Sequence, residues 1–275
     1  MTTATASRQS YLNESNVLGF LKSTGIGTRL YELLYNVVGR KLAYEFTTNN
    51  YGFAPSTAET AAYGEKYQLQ LYFELLSALP DGMPENAHLL EVSSGRGGGL
   101  KFVQDLFKPA KSTGLDWSKS AVAWCKKAYP ELSFQQGDAH DLPFADGELS
   151  VVINVEASHI YNNQRKFYGE VGRVLCQGGY FLLTDYRNKI DNELGILHDD
   201  LEAAGLEMVS QRDITLNVYD ACIADSQRRG DLVEVGVPRI FRPLMREYSG
   251  VNCTGKIEDF KNQTVSYFIY CLRKK

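Results

Sequence analysis

Residues 89–103 read LLEVSSGRGGGLKFV, with Gly95, Gly97, Gly98 and Gly99 crowded directly after a short apolar run that holds one acid, Glu91. Glycine reaches positive φ freely and lets another group touch the main chain. An apolar run, a glycine turn and a renewed helical pattern specify a strand that bends sharply into a helix. The first N–H groups of such a helix are free to receive a carboxylate or a phosphate. Taken alone, the turn serves equally well as a tight connection with no ligand.

The pattern around the turn extends this reading. Short apolar runs at 88–92, 111–116, 132–138, 149–157 and 178–186 read as strands, separated by helical patterns at 100–107, 120–129 and 164–175. This alternation implies right-handed parallel crossovers and a doubly wound α/β sheet. The unbroken run Val151-Val152-Ile153-Asn154-Val155 fits a strand covered on both faces. Further along, 194–205 reads as a helix, 206–215 as a strand and 264–274 as a final strand, while 216–248 carries apolar residues at mixed helical spacing. Upstream, residues 1–15 are small and polar, with no helical period, and are expected to be mobile. Helical stripes follow at Val17, Leu18 and Leu21, at Leu30, Leu33, Leu34, Val37 and Val38, and at Tyr72, Leu75, Leu76 and Leu79, and Pro80 and Gly82 stop the last of them. The expected organisation is a helical leader or lid over 1–80 and a main domain over 81–275, with a substrate-covering insertion at about 186–250.

Composition narrows the function classes. A net charge of -4 with no basic stripe gives no footprint for nucleic acid. No apolar run reaches the roughly 18 residues of a membrane span, so no stable membrane insertion is expected. The N-terminus lacks a signal-peptide apolar core. Five scattered cysteines suggest neither a disulfide framework nor a zinc site, and the expected compartment is the cytoplasm.

Acids recur at the strand ends. Asp116 follows the second strand, where a carboxylate suits a ribose diol or else caps the helix starting near Ser118. Asp138, beside the N–H of Ala139, suits an exocyclic amine or else forms a turn. Glu156 and His159 follow the fourth strand, at the edge where open α/β sheets hold ligands.

The series EVSSGRGGG, GLDWS, GDAHDLPF, NVEASHIY and VGRVLCQGGYF resembles the class I S-adenosylmethionine-dependent methyltransferases over about residues 86–186. Within them it looks most like the phthiotriol/phenolphthiotriol dimycocerosate methyltransferases, and it is similar to sterol C-methyltransferases and small-molecule O-methyltransferases. The resemblance implies a mostly parallel seven-stranded sheet, S-adenosylmethionine as cofactor and S-adenosylhomocysteine as product. It places Gly95 and Gly97 along the methionine part, counts Ser93 among the cofactor contacts, and has Glu91 orient the loop or meet the amino group through water. Asp116 falls on the ribose, Trp117, Asp138 and Ala139 on the adenine, and Asn154 on the ammonium. Ser94, where many members have cysteine, and Arg96 depart from the pattern without removing a backbone contact.

An aliphatic hydroxyl needs a base before it attacks a methyl sulfonium, and imidazole is largely neutral at pH 7. His159 is the expected base, with Glu156 to orient it. Two other readings stay open: C-methylation of a terpenoid- or sterol-like alkene with cation stabilisation, and a protein that binds the cofactor without methylating. His88 is expected to be exposed, while His140 and His198 rank below His159. Asp185 and Asp191 are weak metal ligands, and no metal is expected. Tyr51 and Phe53 in a leader loop, with Tyr186, Phe241 and Met245 behind, are the expected wall for an apolar small-molecule acceptor. A homo-oligomer formed through the N-terminal helix is also expected.

Overall fold

The computed structural model describes residues 46–189, 192–249, 251 and 255–275. The stripes expected at Val17–Leu21 and Leu30–Val38, and Asp191, lie outside the described residues. In chain order the elements begin with α1 (Lys66–Leu76), β1 (His88–Val92), α2 (Gly98–Phe107), β2 (Lys111–Asp116), α3 (Lys119–Ala128), β3 (Ser133–Gln136) and β4 (Leu149–Val155). They continue with α4 (Gln164–Val174), β5 (Leu175–Asn188), α5 (Glu193–Ala203), β6 (Leu206–Asp213), α6 (Thr215–Gly236), α7 (Arg242–Tyr248), α8 (Gly255–Lys261) and β7 (Val265–Lys274). Short side chains start two helices: Ser118 accepts the Ala121 N–H at 3.3 Å and Asn163 the Lys166 N–H at 3.0 Å.

The seven strands form one sheet in the order β3-β2-β1-β4-β5-β7-β6. β1 to β5 run parallel, and β7 is antiparallel to both β5 and β6. This is the doubly wound, mostly parallel seven-stranded architecture expected above. The chain steps outward from β1 to β3 and then returns to the other side of β1 as β4. The order therefore reverses between β1 and β4, which opens a crevice beyond their carboxyl ends.

Alternate residues feed opposite faces of the sheet. Leu89, Val151, Ile153, Leu182, Ile269 and Cys271 join one core, together with Leu75 of α1, Leu100 of α2, Val218 of α6 and Phe260 of α8. Leu90, Val152, Phe181, Leu183 and Leu272 join the other, against Phe167 and Val171 of α4 and Leu197 of α5. Each such side chain contributes about 1.5–3 kcal/mol on burial. The described part of the leader thus packs into the same core as the sheet.

Two differences from the sequence reading matter for the site. The expected strand at 149–157 ends at Val155, because Glu156 turns out at φ 48° and Ser158–Ile160 winds into a 3₁₀ turn. Thr215–Gly236, within a stretch of mixed helical spacing in sequence, forms one 22-residue helix.

Candidate active site

The glycines serve the protein's own packing. Ser93, Gly95 and Gly97 have φ of 62°, 55° and 73°. A Cβ on Gly97 would meet the Phe134 ring at 2.7 Å, one on Gly98 would meet Thr47 Oγ1 at 2.2 Å, and one on Gly99 would meet the Tyr72 ring at 1.9 Å. Gly97 also spends its N–H on the Ser94 carbonyl, at 2.9 Å. The fold itself therefore requires glycine at three positions, so glycine at 97 needs no ligand to explain it.

Asp116 braces this turn. Its Oδ2 accepts the Gly95 N–H and its Oδ1 the Ser118 N–H, both at 2.8 Å. Burial raises its pKa, and those two donors pull it back. Trp117 beside it is 58% exposed, an open indole face at the tip of β2. Asp138 accepts the His140 N–H at 2.9 Å, and its Oδ1 lies 2.7 Å from His140 Nδ1. That backbone N–H is the main reason its pKa is lowered. Ala139 is buried next to it.

Glu91 is fully buried, and burial pushes its pKa up to about 8 against the pull of the Tyr72 hydroxyl, which donates to Oε1 at 2.7 Å. Asn154 donates Nδ2 to the Val92 carbonyl at 3.0 Å and to Tyr161 at 3.1 Å, while Ser93 Oγ lies 2.6 Å from the Tyr161 hydroxyl. Buried atoms without a hydrogen-bond partner among the described residues include Glu91 Oε2, Ser94 Oγ, Asn154 Oδ1, His140 Nε2 and both amide atoms of Asn50. Such atoms are rare in folded proteins and call for a ligand or water. Those of Glu91, Ser94 and Asn154 lie at the β1 and β4 ends and suit a polar, hydroxyl- and amine-bearing cofactor such as S-adenosylmethionine.

A correction concerns the base. Glu156 does not orient His159: its Oε1 accepts the Tyr51 N–H at 2.7 Å and the Tyr267 hydroxyl at 2.6 Å, and burial pushes its pKa up to about 8. Asp185, three residues before the end of β5, is the carboxylate that meets His159. Its Oδ1 lies 2.8 Å from His159 Nδ1, and its Oδ2 accepts the His159 N–H at 2.9 Å and the Ser158 hydroxyl at 2.6 Å. Arg187, itself 2% exposed, sits 3.1 Å behind Asp185 and donates to Ser158 and Tyr168 at 2.7 and 3.0 Å. Burial alone would raise Asp185, but the charges of His159 and Arg187 outweigh it and hold the carboxyl well below its usual range. His159 keeps 22% of its side chain exposed, and its ring packs 4.4 Å from that of Tyr186.

The expected acceptor wall comes together only in part. Tyr51 lies 6.3 Å from Tyr186, the ring that packs on His159, and 5.3 Å from Phe260. Phe53 is a buried core residue under the Arg212 guanidinium. Phe241 and Met245 pack with Phe46 on Leu232, Val233 and Val237 near the end of α6, a separate cluster from Tyr51 and Tyr186. Among the described residues no group of three or more His, Cys, Asp or Glu side chains gathers to hold a metal. No described helix is long and apolar enough to cross a membrane. Sequence reasoning passed over Arg187, Tyr267, Phe260 and Thr47, and it weighed Asp185 only as a metal ligand. The one signal for Asp185 was an acid closing the apolar run Phe181-Leu182-Leu183 at the sheet's carboxyl edge.

Known proteins resemble this chain in sequence and in fold. Residues 90–183 match the family model described as Methyltransferase domain. The chain is 41% identical over 188 residues to the phthiotriol/phenolphthiotriol dimycocerosates methyltransferase of Mycobacterium tuberculosis, covering 68% of this chain and 69% of that one. It is 32% identical over 252 residues to the fatty-acid O-methyltransferase of Mycolicibacterium smegmatis, covering 86% and 89%. Among solved structures, the cyclopropane synthase MmaA2 of Mycobacterium tuberculosis superposes with a TM-score of 0.66 at 12% identity, covering 87% and 97%.

Proposed function

This chain belongs to the class I S-adenosylmethionine-dependent methyltransferases, and from that premise we propose that it methylates a hydroxyl oxygen of an apolar, lipid-like acceptor with His159 as general base. S-adenosylmethionine, its cofactor, supplies a methyl group already activated on a sulfonium sulfur. What remains for the protein is to bring the acceptor into line, exclude water and remove a proton.

The observation that carries the reading is the Asp185–His159 pair at 2.8 Å. An ionised carboxylate on Nδ1 fixes the Nδ1–H tautomer, which leaves the Nε2 lone pair free to take a proton. Tyr186 against the ring limits its rotation, and the Tyr51–Tyr186–Phe260 group supplies an apolar wall next to it. Asp116, Trp117, Asp138 and Ala139 would hold the adenosine, with Ser93, Gly95 and Asn154 nearer the sulfur. Both relatives are named for lipid substrates, which supports an apolar acceptor. A fatty acid is already ionised at neutral pH and needs no base. A preorganised base therefore favours an alcohol or phenol over a carboxylic acid.

Purified protein with S-adenosylmethionine and a panel of long-chain alcohols, phenols, fatty acids and isoprenoids tests this, with S-adenosylhomocysteine and products read by mass spectrometry. Methyl ethers from the alcohols or phenols, in step with S-adenosylhomocysteine, are the expected result. Methyl esters alone would move the acceptor to a carboxylate, and methylated isoprenoids would establish the alkene reading. Cofactor binding without S-adenosylhomocysteine on any acceptor would establish a non-methylating protein.

A further inference from the structure

The segment 46–53 is a strap tied down at both ends. Arg96 donates to the Phe46 carbonyl at 3.2 Å, and the Gly98 N–H donates to the Thr47 carbonyl at 3.1 Å. The Glu65 carboxylate takes the backbone N–H groups of Thr47 and Thr48 at 2.9 and 3.2 Å, and their hydroxyls as well. At the far end the Tyr51 N–H donates to Glu156 at 2.7 Å, the buried Arg229 donates to the Tyr51 carbonyl, and the Phe53 N–H reaches the Tyr67 carbonyl at 2.8 Å.

These anchors fix where the strap runs. Gly98 opens the helix after β1, and Glu156 directly follows β4, the neighbouring strand. Thr47 to Tyr51 therefore crosses the crevice at the strand-order reversal, with Asn50 inside the crossing. Nothing in the strap's own fastening uses the Asn50 side chain. Its Oδ1 and Nδ2 are both buried and both lack a partner among the described residues. A buried side-chain amide with acceptor and donor both unmet is costly.

A second unmet group lies on the same side of the sheet. Glu91 Oε2 has no hydrogen-bond partner among the described residues, although the nearby Leu100 N–H lowers the carboxyl's pKa, while Oε1 is held by Tyr72. Tyr72, which holds Glu91, packs against the same glycine helix as the strap. Asn154 Oδ1 is a separate matter: Asn154 is in register with Val92, which faces the other core. Two free acceptors and one free amide donor match an α-amino acid zwitterion, whose ammonium offers three hydrogens and whose carboxylate takes donors.

We propose that Asn50 reads the amino-acid end of S-adenosylmethionine, with Oδ1 accepting from the ammonium and Nδ2 donating to the carboxylate. This rests on the cofactor and not on His159 acting as a base, so the two fail separately. The test is calorimetric titration of wild type and Asn50→Ala with S-adenosylhomocysteine and with 5′-methylthioadenosine, which keeps the adenosyl thioether and lacks the amino-acid end. The substitution is expected to weaken S-adenosylhomocysteine by about 5- to 150-fold and to leave methylthioadenosine unchanged within error. Equal weakening of both ligands would assign Asn50 to strap packing alone and overturn the proposal, as would no change in either. Should Asn50→Ala fail to fold, the side-chain amide signal of Asn50 in wild type decides by NMR. It is expected to shift with S-adenosylhomocysteine and stay put with methylthioadenosine, and any other pattern overturns the assignment.

Discussion

Replacing His159 with glutamine is expected to lower kcat by about 10²- to 10⁴-fold, with the affinity for S-adenosylmethionine unchanged. The residue sits on a 3₁₀ turn with 22% of its side chain exposed, and Arg187 still pairs with Asp185 in the variant, so the fold is expected to survive the change. Glutamine keeps a polar group of similar reach but accepts no proton at neutral pH. The loss therefore measures proton removal rather than packing. Asp185→Asn should cause a loss of similar size for a different reason: the amide no longer holds the Nδ1–H tautomer. It also strips the buried Arg187 of its counter-charge, a change of the kind that costs about 3–5 kcal/mol of stability. Denaturation of that variant must accompany its kinetics, whereas His159→Gln gives the clean reading. Stopped assays of S-adenosylhomocysteine release with a responsive alcohol supply both numbers.

The preference for S-adenosylmethionine over S-adenosylhomocysteine is expected to rise with pH between about 6 and 8. Glu91 and Glu156 flank the β1 and β4 ends, and burial pushes each up to about 8 in the free protein. Beyond any contact with the ammonium that both ligands share, the ionised form of either carboxylate attracts a nearby sulfonium, so the extra cation lowers their pKa values further and its binding expels protons. The sign follows: affinity grows as pH climbs toward the free-protein value and levels off above it. One linked proton gives up to about tenfold per pH unit. Both ligands carry the same amino group, so its own titration cancels in the ratio, while only one carries the sulfonium charge. Titrations at pH 6, 7 and 8 read the ratio directly, and a flat ratio would mean that neither carboxylate faces the cation.

Much of the fold was legible because period and punctuation agreed along the central chain. The run Val151–Val155 announced a strand covered on both faces, and the glycine turn after Val92 announced the strand-to-helix bend. Helix α6 was hidden because Asp225 and Arg229 sit in its buried stripe among Val218, Cys222, Leu232 and Val233. The two charges neutralise each other at 3.0 Å and fasten Tyr51, a reason that appears only when distant segments meet. The site showed the same division. Asp116, Asp138 and His159 could be placed by their distance from strand ends. The partner of His159 could not, since Glu156 is three residues away in sequence yet turns toward Tyr51 and Tyr267, and Asp185 arrives from 26 residues on. Gly97, Gly98 and Gly99 suggested a ligand at the backbone, whereas the atoms that fill their space belong to Phe134, Thr47 and Tyr72.

The most direct measurement follows a ¹³C-labelled methyl group from S-adenosylmethionine into a long-chain alcohol, once with wild type and once with His159→Gln. The account predicts a single new resonance in the methoxy region with wild type, and its near disappearance with the variant although the cofactor still binds. A methyl resonance on carbon, or a methoxy signal that forms as fast without His159, would contradict it.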